Sequence, residues 1–227
     1  MGDTSFLRPL AHIPLNPARD AAAAALTAIR MKMDEYAGEI FDLWFYGKVK
    51  DEVTFDNEKW ANYMRREANL AHHIDEELLA FARSTVAKMK ADPTCTGRLS
   101  SPFKLTFHAE VGSQDGGYAT GYEVLHGTNK DAGDFQVAGS LRVTSILPVQ
   151  GAYTATFDNL VFVFNDIVDV NKKYEKDVGR ARVAVDLANA LDAGPPRDYI
   201  LRIKWSPLDR KVFQIDNKAY QLNNKWW

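Results

Sequence analysis

The chain has 227 residues, 46% apolar and 26% charged, with a formal net charge of −2. That balance excludes a disordered chain, and the scattered basic residues exclude bulk positive charge as a route to nucleic acid. No apolar run approaches the ~20 residues that span a bilayer, and the single cysteine, Cys95, excludes an internal disulfide or a cysteine-rich metal site.

Residues 1–16 carry three prolines and no periodicity, the composition of an extended leader. The first residues lack the charged start and apolar core of a signal peptide. The chain is therefore expected to be made in the cytoplasm and, if exported, to leave by another route. Asn16-Pro17 is a helix start, with an amide cap and proline at the first helical position. Leu26, Ile29, Met33, Tyr36, Ile40 and Trp44 then recur at three and four residues, a helical stripe ended by Gly47 and the charged stretch Lys48 to Glu52. A second helix is predicted from Asp56, with Trp60, Met64, Ala71, Ile74, Leu78 and Phe81 on its apolar face, fading at Asp92-Pro93. Both helices exceed the usual length, so a break in one of them is expected. Residues 17–92 thus form a helical region.

From residue 98 the period changes to alternation, and 98–227 reads as a β-rich domain. Phe103, Leu105, Phe107, Ala109 and Val111 face one way, with Lys104, Thr106, His108 and Glu110 opposite. A turn at Ser113 to Gly117 predicts a returning strand over 118–126. A third strand follows over 135–143 and a fourth over 153–164, a meander of antiparallel strands wide enough to curl into a barrel or half-barrel. Residues 177–191 are ambiguous in period; alanine content favours a helix capped by Asp177. Tyr199, Leu201, Ile203 and Trp205 alternate as a fifth strand, and 212–215 with 220–222 reads as a closing hairpin.

Several residues carry chemistry. The fourth strand is expected to stop at Phe164 on Asn165-Asp166-Ile167-Val168-Asp169, two carboxylates at a strand mouth, where a rigid element holds them for acid/base or metal work. An ordinary acidic turn explains the same residues. His72-His73 with Asp75, Glu76 and Glu77 has His-x-x-x-Glu spacing on one helix face, which suits a metal pair, while charged residues there are also expected on a solvated face. His126-Gly127-Thr128 matches a short signature of ADP-ribosyltransferases, though the spaced tyrosines and terminal glutamate of that fold are not evident downstream. A polar strand end turning at glycine explains it too. Trp226-Trp227 is an apolar patch, expected to dock on the core, with lipid contact as the other reading.

Thr106-Phe107-His108-Ala109, Gly133 to Thr144, Gly151-Ala152-Tyr153-Thr154 and Asn165-Asp166-Ile167-Val168-Asp169-Val170-Asn171, followed by a helix and the strand at Tyr199, stand in one order. This order resembles the activity domain of colicin M-like bacteriocins, over about half the chain, and the helical region before it resembles that family's helical middle part. The resemblance implies an α+β protein: a helical region followed by a curled, half-open antiparallel β-barrel. It implies a toxin that acts in the periplasm of a target cell, at the membrane surface, with magnesium. The reaction implied is hydrolysis of the phosphoester between undecaprenol and the pyrophosphate of lipid II. An immunity protein is an implied partner. Asp166 and Asp169 match the family's two aspartates, with Asp166 the implied magnesium ligand, and Asn171 matches an asparagine of colicin M itself. The chain departs from the pattern twice. Val168 stands where a tyrosine is expected, and Glu175-Lys176 stands at the histidine-arginine pair, with Tyr174 before it and Arg180 after it. Lys176 and Arg180 are then candidates to take up charge on phosphate oxygens. Glu175 could replace an imidazole as acid only with a raised pKa. The other reading of these departures is a degenerate member that binds a polyprenyl phosphate or a protein without turnover.

Overall fold

The computed structural model describes residues 16–31, 33, 35–46, 51–66, 68–108, 134–147, 151–168, 186–192, 197–216, 220–221 and 226. Its elements are α1 (Pro17–Arg30), α2 (Glu35–Phe45), β1 (Glu52–Phe55), α3 (Glu58–Arg65), α4 (Ala68–Ala91), β2 (Arg98–His108), β3 (Asp134–Leu147), β4 (Ala152–Val168), β5 (Tyr199–Trp205), β6 (Lys211–Ile215) and β7 (Tyr220–Gln221). The chain is α+β: in the described residues, helices α1 to α4 with one strand, β1, among them, then the remaining strands of an open mixed sheet.

Both predicted long helices are broken. Asn16 caps α1 by accepting the Arg19 amide at 3.2 Å, and Pro17 opens its first turn. The break before α2 lets Arg30 fork onto Asp42, at 2.9 and 3.0 Å. The guanidinium lies over Gly38, where a Cβ would overlap it. Asn57 starts α3 in the same way, accepting the Trp60 amide at 3.1 Å. Along α4, Leu70, Ile74, Leu78, Ala82 and Val86 are buried at steps of four, one stripe against the sheet.

Glu52, read above as part of the charged stretch that ends a helix, is the first residue of strand β1. Val53-Thr54-Phe55 is a short β-favouring run whose flanking charges mask it. It pairs in parallel with β5, Glu52 opposite Ile200 and Phe55 opposite Ile203. Among the described residues the sheet runs β1-β5-β4-β3-β2, with β6 attached to β4 and β7 to β6. The partner of β2 is β3 over its whole length, Arg98 opposite Thr144 and His108 opposite Asp134. The strand expected at 118–126 lies outside the described residues. The closing hairpin is present as β6 and β7, and of the expected 177–191 helix the described part has a helical turn at 186–190.

One edge of β4 pairs with two strands in succession. Tyr153 to Phe157 face β6, and Phe162 to Val168 face β5. At the changeover Asn159 takes a left-handed φ of 54° and the β3 register shifts between Ala138 and Ser140, a bulge that switches which β4 side chains face the core. Before it Ala155 and Phe157 are buried; after it Leu160, Phe162 and Phe164 are. Gly139 opposes the bulge, and a Cβ there would lie 2.8 Å from the Asp158 carbonyl oxygen. Backbone cannot yield as a side-chain tip can, so Gly139→Ala is expected to lose about 1–3 kcal/mol, read as a lower midpoint in urea unfolding.

One continuous core joins the helices to the sheet. Phe103 meets Phe81 of α4 and Phe157 of β4, with centroids 5.4 and 5.2 Å apart. Phe135 and Trp205, two strands apart, touch at 5.5 Å. Rings therefore fill the helix-covered side of the sheet.

Candidate functional site around Asp166

Strand β4 does not stop at Phe164. It continues to Val168, and Asn165 to Val168 pair with Arg202 to Tyr199. The alternation Phe162, Phe164, Asp166, Val168 explains this: the aspartate takes the next place in a row that is otherwise apolar. Its cross-strand neighbours Ile203, Leu201 and Tyr199 are buried. Asp166 is thus half-buried, on the core-facing side, two residues from the strand end.

The surroundings are polar where α2 crosses. The Tyr199 hydroxyl donates to the Ile40 carbonyl at 3.2 Å. Burial, then the negative charges of Glu39 and Asp166, push its pKa well up, so the phenol keeps its proton. Glu39 accepts from Lys59 Nζ at 2.9 Å and from the Trp60 indole at 3.2 Å. Burial alone would lower the Lys59 pKa, but its hydrogen bond to Glu39 and the charges of Glu39 and Glu35 raise it. Trp44 donates to Asp198 at 3.2 Å, and the Arg197 amide to the Trp44 carbonyl at 3.0 Å, which fastens the start of β5 under α2.

Asp169, Asn171, Tyr174, Glu175, Lys176 and Arg180 lie outside the described residues, as do Glu110 and His126-Gly127-Thr128. The His72-His73 group is described. His72 and His73 approach Glu76 at 3.3 and 3.9 Å; His72 and Glu76 are solvated as expected, but His73 packs on the Phe107 ring at 5.2 Å and Asp75 turns inward to Lys211. Among the described residues no group of three or more His, Cys, Asp or Glu could hold a metal ion. Asp166 remains as one carboxylate oxygen donor, enough for magnesium only if phosphate oxygens and water complete the shell.

Two groups went unread in the sequence. Glu39 belongs to a helix, and nothing in its spacing ties it to a strand 127 positions on. Lys211 was legible: it shares a face with Phe213 and Ile215, a charge at a core position. Its ammonium is fully buried, 2.7 Å from Asp75, with the rings of Trp226 and Phe213 centred 4.7 and 5.2 Å away. The Trp226 indole hydrogen-bonds Asp75, and its carbonyl accepts the Leu208 and Asp209 amides at 3.1 Å. This tryptophan is docked on the core.

No family model, curated protein or solved structure matches the chain.

Proposed function

We propose that the chain is a colicin M-like toxin domain whose open sheet is that family's half-open barrel, and that it hydrolyses the undecaprenyl phosphoester of lipid II in a target periplasm. The observation that carries the reading is Asp166, a half-buried carboxylate on a strand that is paired on both sides at Phe164 and held by β5 through Val168. A carboxylate so held loses little entropy on engaging a substrate. It leads directly into the segment bearing Asp169, Asn171 and Lys176.

In this reaction a water oxygen bonds to phosphorus, the phosphorus–oxygen bond to undecaprenol breaks, and the water proton ends on the undecaprenyl oxygen. Asp166 orients or deprotonates the water. Magnesium, held by Asp166 and substrate oxygens, would supply charge neutralisation at the diphosphate. Lys176 and Arg180 would share that work. Incubation with lipid II and magnesium, followed by product analysis, tests the reading: undecaprenol release supports it, and intact lipid II at every magnesium level overturns it.

One observation favours the second reading, binding without turnover. Asp166 stands between buried Phe164 and Val168 rather than at an open strand mouth. Retention of lipid II with no product would select that reading.

A further inference from the structure

The side of the sheet turned away from the helices is basic. Alternation puts Arg98 and Lys104 of β2, Arg142 of β3, and Arg202 and Lys204 of β5 on it. Against them the described strands set Glu52, Asp134 and Asp158; Glu52 is engaged by Arg202 at 2.8 Å and Asp158 by Arg142 at 2.9 Å. Arg98, Lys104 and Lys204 are exposed, and among the described residues they make no ion pair. The whole chain is net negative, so this is a local surplus.

What lies between the cations narrows the partner. Lys104 and Lys204 are three strands apart, roughly 14 Å. Half-buried Ala138, Val161 and Val163 lie between them, with Ile200 38% exposed beyond. Long lysine stems beside an apolar strip suit an interface of charged headgroups above acyl chains.

We infer that this sheet face docks on an anionic phospholipid bilayer. The inference goes beyond the function proposed above: it stands on the surface opposite Asp166 and takes nothing from the chemistry of that residue. The full chain is tested by co-sedimentation with phosphatidylcholine vesicles, with and without phosphatidylglycerol, at low and physiological salt. Binding only to the phosphatidylglycerol vesicles, weakening as salt rises, is expected. The Lys104→Glu/Lys204→Glu variant changes the face by four charges. At about fivefold per charge it should bind more than a hundredfold more weakly, and the Lys104→Gln/Lys204→Gln variant about 25-fold more weakly. Arg19→Glu, on exposed α1, should bind as wild type at physiological salt, where a Debye length of about 8 Å hides distant charge. Equal binding to both vesicles, no binding, tighter binding to a single-stranded oligonucleotide, or undiminished binding by lysine variants with an unchanged thermal midpoint would each overturn the inference. Vesicle binding without lipid II hydrolysis would leave it standing and remove only the Asp166 chemistry.

Discussion

Asp75→Ala is expected to destabilise the fold by about 3–5 kcal/mol, because it leaves the Lys211 ammonium buried with only aromatic faces around it. The companion variant Asp75→Ala/Lys211→Met should recover most of that loss and end near wild type, since a buried ion pair rarely outdoes packed apolar groups. Guanidinium unfolding of the two variants and of Lys211→Met gives the coupling directly. A loss under about 1 kcal/mol in Asp75→Ala would mean the pair is hydrated.

The same pair sets a pH dependence. Burial, only partly offset by Lys211, raises the Asp75 pKa above its usual 3.8. A carboxyl raised on folding stabilises below its unfolded pKa, and that contribution is lost as pH rises through the folded value. Burial lowers the Lys211 pKa below 10.5 despite Asp75. A depressed lysine stabilises above its unfolded pKa, and the gain is lost as pH falls through the folded value. In Asp75→Asn, where the raising partner is gone, stability should therefore climb with pH up to about 10.5. Urea midpoints across the alkaline range would read this slope, and a flat profile would contradict it.

Trp60→Ala should lose about 3–5 kcal/mol, the second large effect. The ring is fully buried, stacks on Phe55 at 4.6 Å and meets Tyr36 and Tyr63 edge-on at 5.1 and 5.7 Å. It therefore ties α2, β1 and α3 together. Its indole also donates to Glu39. Trp60→Phe should keep most of the packing while removing that donor, so its midpoint should lie between wild type and Trp60→Ala. Equal midpoints for the two variants would place the whole effect in the hydrogen bond.

The helices and the long strands were legible because each buries one face and so repeats at its own period. The breaks after Arg30 and Arg65 were not, because the apolar stripe runs straight through them. The break after α1 is accompanied by the Arg30–Asp42 contact, made between positions no local pattern relates. Strand β1 was hidden for a similar reason: four residues carry little periodicity, and its identity depends on β5, nearly 150 positions away. At the site, the acidic character of Asp166 was readable but its setting was not. The alternation Phe162, Phe164, Asp166, Val168 already placed the carboxyl in the core-facing row, yet the acids after Phe164 suggested an ending. Only pairing with Tyr199 to Arg202 extends the strand past them. Glu39 enters through tertiary packing alone.

The central claim is that the Asp166 carboxyl acts on a polyprenyl phosphate, and it is tested by comparing wild type with Asp166→Asn on lipid II and magnesium. The amide keeps the shape and removes the charge, so thermal midpoints should stay close while undecaprenol release falls by at least about a hundredfold. Equal release by the two proteins, or none from wild type that binds lipid II, would contradict the account.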